Sequence, residues 1–244
     1  MKAQSVLLSL GLVQAIAGSP VASPSDVDVA ERDVDAQACH NVHIFVARGT
    51  DEPYPGRQAG LTGAICYGLK NCGYEDIMYQ ASYSPTYCES VQAGVKNGKA
   101  QINAYAKRCP NAKLVLTGYS QGAEVLGDIL GGAGGSYFGC SQANSSPLDM
   151  QSTAHKNIKA ITFFGNVRHV PNQPYNTGTA ANVGAGIYPR TGSSLNNLNK
   201  YSNKIQDYCL ANDTVCGGGG DGSAHTIYFD IYTQTAAEWI KTKL

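Results

Sequence analysis

A glycine-flanked serine, in the segment Gly118-Tyr119-Ser120-Gln121-Gly122, lies between an apolar run and a helix-like stretch. The apolar run covers residues 113–117, and the helix-like stretch covers residues 123–130. A strand that enters a helix through so tight a turn strains the middle residue, and glycine on either side leaves room for the neighbouring chain. This order of elements predicts an α/β fold in which Ser120 stands exposed at the end of a strand.

The length and charge of the chain indicate how many domains it forms and which partners it does not bind. The chain has 244 residues and is 43% hydrophobic, which is enough for one domain with a sizeable core. Its formal net charge is zero, only 15% of residues are charged, and no basic cluster occurs. Nucleic acid and anionic membranes are therefore not expected as partners, and we expect a monomer.

The N-terminus has the pattern of an exported protein. Met1-Lys2 precedes the apolar residues 6–13 and a small-residue site at 15–17, which predicts a signal peptide over residues 1–17. Residues 18–37 are rich in Pro, Ser, Val and Asp, which favours a propeptide or flexible leader. We therefore expect a secreted, extracellular domain over residues 38–244, with no membrane span.

An even number of cysteines supports the same compartment. Eight cysteines in an exported chain predict up to four disulfides. The competing interpretation, a zinc site, is disfavoured because Cys209 and Cys216 are too far apart for a CxxC knuckle. We expect neither a metal nor another cofactor. The cysteines are Cys39, Cys66, Cys72, Cys88, Cys109, Cys140, Cys209 and Cys216.

Alternating apolar runs and helical patterns predict the architecture. Helices are predicted over residues 90–108 and 226–243, and this alternation is typical of a three-layer α/β/α sandwich with a mostly parallel five-stranded sheet. Residues 166–203 are predicted to be an ordered surface excursion, and the glycine runs 131–135 and 217–220 to be loops. The five predicted strands cover residues 42–47, 76–81, 113–117, 160–164 and 204–208.

A serine nucleophile needs a histidine base, and in α/β-hydrolases the histidine follows the serine in the chain. His155 precedes a predicted strand and would lie at the wrong end of the sheet. His169 follows a strand, but no acid lies close after that strand. His225, which begins the last predicted helix, is the favoured base.

The base also needs a carboxylate that fixes its orientation. Asp213 lies in the short segment between Cys209 and Cys216, and a disulfide between these cysteines would restrict its position. Asp207 falls within a predicted strand and Asp221 within a glycine-rich run, so both are weaker candidates.

Acyl transfer requires hydrogen-bond donors for the developing oxyanion. Gln121 follows the nucleophile and supplies its backbone N–H. The loop after the first strand contains Thr50, which can offer a hydroxyl and a backbone N–H, although a threonine there also suits an ordinary cap.

These segments together resemble the cutinase and acetylxylan esterase family of secreted fungal serine esterases. The similar segments are Ala47-Arg48-Gly49-Thr50, Gly118 to Gly122, the acid between Cys209 and Cys216, and Ser223-Ala224-His225. They span nearly all of residues 39–244.

The resemblance implies a lidless α/β-hydrolase fold and a defined set of site residues. It implies a triad of Ser120, Asp213 and His225, with Thr50 and Gln121 as oxyanion donors. It also implies a disulfide between Cys39 and Cys109, while the pairing of Cys66, Cys72, Cys88 and Cys140 stays open.

Side chains near the site bear on the substrate. Residues 214–224 offer only Val215 and alanine as aliphatic groups, and residues 82–87 are rich in tyrosine and hydroxyls. This favours a small acyl group on a plant cell-wall polysaccharide, most simply acetyl on xylan. The alternatives are a cutinase acting on cutin polyester, and a catalytically silent secreted binding or elicitor protein. Glycosylation sequons occur at Asn144 and Asn212.

Overall fold

The computed structural model describes residues 39–84 and 86–244. The expected signal peptide and leader, residues 1–17 and 18–37, lie outside the described residues. Within the described part of the chain, no helix is both long and apolar enough to span a bilayer.

Strands and helices alternate along most of the described chain. The strands are β1 (Val42–Ala47), β2 (Cys72–Asp76), β3 (Lys113–Tyr119), β4 (Ala133–Tyr137), β5 (Cys140–Ser145), β6 (Ile158–Phe164), β7 (Asn176–Thr177) and β8 (Ile205–Tyr208). The α-helices are α1 (Ala59–Cys66), α2 (Tyr87–Arg108), α3 (Gln121–Gly131), α4 (Thr153–Asn157), α5 (Gly192–Leu198) and α6 (Tyr228–Thr242).

The main sheet has the strand order β2-β1-β3-β6-β8-β7, and all its pairings are parallel. Side chains alternate between its two faces: Phe45 packs in one apolar core, whereas Ile44 and Val46 pack in the other. The first core is covered by α2 and α3, and the second by α1 and α6. The predicted α/β fold with a mostly parallel sheet is therefore confirmed, although the sheet has a sixth, two-residue strand, β7.

The predicted strand over residues 76–81 is displaced from the observed one. The strand β2 ends at Asp76, and the chain beyond it contains the apolar residues that suggested a strand, with Ile77 and Tyr79 in the core. Its backbone, however, soon leaves the sheet: the Tyr79 N–H donates to the Tyr54 hydroxyl at 3.0 Å. The apolar run alone did not reveal this change of hydrogen-bond partner.

The glycine run 131–135 was predicted to be a loop, and this was wrong. It ends α3 and begins β4, which pairs with β5 in a separate antiparallel hairpin. Gly134 and Gly135 have φ values of 130° and 142°, a conformation that favours glycine, so the composition hid the strand. The predicted excursion over residues 166–203 contains β7 and α5.

Four disulfides tie these elements together. The bond between Cys39 and Cys109, which the family resemblance implied, is present, as is the bond across the Asp213 segment. The four cysteines left open pair within the chain as well. The pairs are Cys39–Cys109, Cys66–Cys72, Cys88–Cys140 and Cys209–Cys216.

Candidate active site

Ser120 occupies a sharp turn between β3 and α3. Its backbone has φ 54° and ψ −120°, a strained conformation for a residue with a side chain. A Cβ at Gly118 would lie 2.6 Å from the Gly122 carbonyl oxygen, and a Cβ at Gly122 would overlap the Ala47 carbonyl oxygen. The Ser120 N–H donates to the Phe164 carbonyl at 2.8 Å, which anchors the turn to the neighbouring strand β6. Packing therefore requires both glycines and stabilises the turn.

The imidazole of His225 lies beside this serine. His225 ends a short 3-10 turn, Gly222–His225, and its Nε2 is 2.9 Å from Ser120 Oγ. The Tyr119 hydroxyl donates to the His225 carbonyl at 2.7 Å, and the two rings are 5.2 Å apart. Gly165 lies under the ring, where a Cβ would be 2.7 Å from His225 Cε1. The backbone and the ring of His225 are thus both held in place.

Asp213 completes the row of polar groups. Its Oδ2 is 2.8 Å from His225 Nδ1, and the carboxylate also accepts bonds from the Tyr228 hydroxyl and the Val215 N–H, both at 2.6 Å. Burial opposes ionisation of this carboxyl, but the hydrogen bond and charge of His225, with the bonds from Tyr228 and Val215, hold the pKa of Asp213 below its ordinary value. The group is therefore a carboxylate that can orient the imidazole.

The rejected histidines lie elsewhere. His155 is in α4, where its ring packs edge-on against Tyr201 at 5.0 Å. His169 is bound to Asp207 at 2.9 Å, but its side chain is fully buried. Neither contacts Ser120.

Asp221, a rejected acid, has a local role that the sequence did not reveal. Its carboxylate accepts a bond from the Ser223 N–H at 2.8 Å and caps the turn that carries His225. Its backbone also bridges to that of Asp213. Asp221 thereby joins the segments that hold the imidazole and the carboxylate.

The two predicted oxyanion donors, Gln121 and Thr50, lie close to each other. Gln121 is the first residue of α3, and the first N–H groups of a helix have no acceptor within it. Among the residues described, neither the Gln121 N–H nor the Thr50 N–H has a hydrogen-bond acceptor. The Gln121 side chain reaches Thr50 Oγ1 at 3.4 Å and the Ser82 carbonyl at 3.0 Å, and it accepts a bond from Ser90 at 2.8 Å. The geometry suits the binding of an oxyanion.

The loop that carries Thr50 is held by charged side chains that sequence reasoning did not single out. Arg48 donates to the carbonyls of Glu52, Tyr79 and Gln80 at 2.5–2.8 Å. Glu52 accepts from the Gly49 N–H at 2.9 Å. The arginine directly before Gly49 and Thr50 was visible in the motif, but two of its carbonyl partners, Tyr79 and Gln80, are distant in sequence.

Known proteins are similar in sequence to most of this chain. The model of the cutinase family matches residues 38–244. An acetylxylan esterase of Hypocrea jecorina is 31% identical over 214 residues, which cover 84% of this chain and 68% of that protein. Cutinase 11 of Verticillium dahliae is 28% identical over 223 residues, covering 86% of this chain and 71% of that protein.

A solved structure has the same fold. The catalytic core domain of acetyl xylan esterase from Trichoderma reesei superposes with a TM-score of 0.75 at 30% identity. The match covers 85% of this chain and all of that domain.

Proposed function

Because this chain belongs to the cutinase family and is a carboxylic ester hydrolase, we propose that it cleaves esters through an acyl-enzyme formed on Ser120. The observation that carries this proposal is the continuous contact from Ser120 Oγ to His225 Nε2 at 2.9 Å and from His225 Nδ1 to Asp213 at 2.8 Å. A hydroxyl, an imidazole and a carboxylate in this order form the constellation used for nucleophilic acyl transfer.

In the first half of the reaction, Ser120 Oγ attacks the ester carbonyl carbon while His225 Nε2 takes the hydroxyl proton. The resulting oxyanion accepts bonds from the Gln121 and Thr50 N–H groups. When the tetrahedral intermediate collapses, the carbon–oxygen bond to the alcohol breaks and His225 returns its proton to the departing oxygen. Asp213 stabilises the imidazolium throughout.

In the second half of the reaction, a water molecule attacks the acyl carbon while His225 takes a proton from that water. The bond to Ser120 Oγ then breaks, the serine recovers its proton, and a carboxylic acid leaves. Every proton moves between the substrate, water, Ser120 and His225, so these reaction steps need no cofactor.

The proposed substrate is a plant cell-wall polysaccharide with small acyl groups, most simply acetylated xylan. Tyr83 supports this, because it is 52% exposed and follows Ser82, whose carbonyl binds the Gln121 side chain at 3.0 Å. An exposed tyrosine and neighbouring hydroxyls beside the oxyanion donors suit a sugar better than an acyl chain. The related acetylxylan esterases point the same way.

One observation favours the second candidate, a cutin polyester or other short-to-medium acyl ester. Val183 and Ile187 are 57% and 44% exposed, and the Ile187 N–H donates to the Val215 carbonyl at 2.9 Å. An aliphatic side chain therefore lies beside the loop that carries Asp213, a neighbour that the sequence pattern did not indicate. Such side chains suit an acyl chain, since each buried methylene contributes about 0.8 kcal/mol.

A substrate profile separates the two candidates. The purified protein would be assayed on acetate, butyrate and palmitate esters of 4-nitrophenol, and for acetate release from acetylated xylan. We expect the highest kcat/KM on acetate, with release from xylan. Fastest turnover of the longer esters or of cutin, without release from xylan, would favour the cutinase activity.

A catalytically silent binding protein is tested separately. A serine-directed phosphonate should label the wild-type protein and should not label Ser120→Ala. A folded wild-type protein that takes up no label would overturn the proposed mechanism whichever ester is natural.

We further propose that the protein acts outside the cell as a monomer, without nucleic acid or membrane as partner. Residues 1–17 have a signal-peptide pattern, and four disulfides fit an oxidising compartment. N-terminal sequencing and the mass of protein secreted by a fungal host would test export, removal of residues 18–37, and glycans on Asn144 or Asn212. Retention of the full chain inside the cells would contradict export.

A further inference from the structure

A buried tyrosine hydroxyl binds the same carboxylate oxygen as the histidine base. Tyr228 lies three residues after His225, at the start of α6, and is fully buried. Its hydroxyl is 2.6 Å from Asp213 Oδ2, which also lies 2.8 Å from His225 Nδ1. The two donors therefore share one oxygen of Asp213.

The surroundings decide which way the phenol hydrogen points. The Leu210 N–H donates to the Tyr228 oxygen at 3.0 Å, so that side of the oxygen acts as acceptor. Cys216 Sγ is 3.1 Å away, but as a disulfide sulfur it carries no hydrogen and is a much weaker acceptor than the Asp213 carboxylate at 2.6 Å. The hydroxyl hydrogen is thus directed to Asp213. Burial and the adjacent Asp213 charge raise the pKa of the Tyr228 phenol, so it stays protonated.

On the basis of the proposed function, we propose that Tyr228 is a positioning residue that aims the Asp213 carboxylate at His225 and draws off part of its negative charge. Two consequences follow. Without the hydroxyl, Oδ2 is free to turn from the imidazole, which slows proton transfer. The carboxylate also keeps more charge for the imidazolium, so the base holds its proton to a higher pH.

The Tyr228 ring has a packing role that must be separated from the role of its hydroxyl. The centroid of the Tyr228 ring lies 6.3 Å from that of Phe164 and 6.4 Å from that of Tyr232. Tyr228→Phe keeps this packing and removes only the hydroxyl. Tyr175→Phe is a matched control, because Tyr175 is also buried and its hydroxyl binds Asn199 at 3.0 Å, outside the site.

The experiment measures kcat and KM for 4-nitrophenyl acetate across pH, with the melting temperature of each variant. We expect Tyr228→Phe to lower kcat about tenfold, to leave KM within about twofold, and to move the acid limb of the kcat/KM profile upward by about half a pH unit. Tyr175→Phe should leave kcat and the acid limb of the kcat/KM profile unchanged, even if its melting temperature falls. A Tyr228→Phe profile that superposes on that of the wild type would overturn the proposal.

A second variant keeps the test independent of any folding defect. Site-specific 3-fluorotyrosine at position 228 retains the hydroxyl and makes it a stronger donor, so the acid limb should move to lower pH. An unchanged limb would count against the proposal. Wild-type protein without Ser120-dependent activity would defeat the proposed function, whereas an active wild type with an unaltered Tyr228→Phe profile would defeat only this inference.

Discussion

Two histidine–aspartate pairs in this molecule have nearly the same geometry and very different surroundings. His225 and Asp213 are 2.8 Å apart, and His169 and Asp207 are 2.9 Å apart. The His225 side chain is 15% exposed and its Nε2 faces Ser120, whereas the His169 side chain is fully buried. A short bond to a carboxylate therefore does not define a base; access and a facing hydroxyl do.

The two carboxylates are also held in different ways. Asp207 belongs to β8, and its position is determined by the strand, with the Asn166 side chain donating to it at 3.2 Å. Asp213 lies in a loop closed by a disulfide and accepts bonds from Val215 and Tyr228. We expect the His169–Asp207 pair to contribute to stability and the His225–Asp213 pair to contribute to the reaction rate. Four predictions test this difference.

The largest effect is expected on rate. His225→Gln should lower kcat for 4-nitrophenyl acetate at least about a thousandfold, because the proton acceptor for Ser120 is lost. His169→Gln, assayed well below its melting temperature, should stay within about threefold of the wild type. A folded His169→Gln protein as inactive as His225→Gln would contradict the comparison.

The next effect is on stability. Asp207→Asn removes the charge that binds the buried His169 and should lower the free energy of unfolding by about 2–4 kcal/mol. Asp213→Asn should lower kcat far more than Asp207→Asn does. Urea unfolding with intact disulfides and steady-state kinetics measure the two quantities, and equal losses of rate in both variants would remove the distinction.

Removing the disulfide tests how the loop positions Asp213. Cys209→Ser with Cys216→Ser should cost about 2–3 kcal/mol of stability and also lower kcat. The matched control removes Cys66–Cys72, which closes a segment of similar length, 6 residues apart against 7, and joins α1 to the start of β2. That control should lose similar stability with little change in kcat. A similar loss of kcat in both variants would indicate that the bond at Asp213 has no special role.

The smallest effect is a difference in pH dependence. Burial opposes the charged form of His169, but the charge and hydrogen bond of Asp207 raise the pKa of His169 above its ordinary value. Stabilisation from this pair is therefore complete below about pH 6.5 and is lost as the pH rises through the folded pKa. For Asp213, whose pKa is lowered, the stabilisation is present above about pH 3.9 and lost on acidification.

The free energy of unfolding of His169→Gln, relative to the wild type, measures the first of these trends. The difference should shrink by on the order of 1 kcal/mol between about pH 6 and about pH 9. A difference that stays constant over this range would mean that folding leaves the pKa of His169 unchanged.

Local sequence was sufficient for the turn at Ser120 and for the long helix α2, whose residue patterns match their structures. The turn at Ser120 follows from two glycines between a strand and a helix, and the 22-residue helix α2 follows from its apolar face. The displaced strand β2 and the hairpin β4–β5 did not follow. The backbone after β2 takes a partner from another part of the chain, the Tyr54 hydroxyl for Tyr79, and the glycine composition of β4 hid a strand whose partner β5 is close in sequence.

The sequence by itself predicted the identity and order of the proposed reactive groups: the serine between two glycines, the later acid between two cysteines, and the last histidine. Only the tertiary structure showed that His169 and Asp207 form a second, buried pair away from that serine, and that Arg48, Asp221 and Tyr228 hold the participants. The physical reason is that reactivity depends on distance, burial and the direction of hydrogen bonds. Those are set by contacts between segments that lie up to about 105 residues apart, as Ser120 and His225 do.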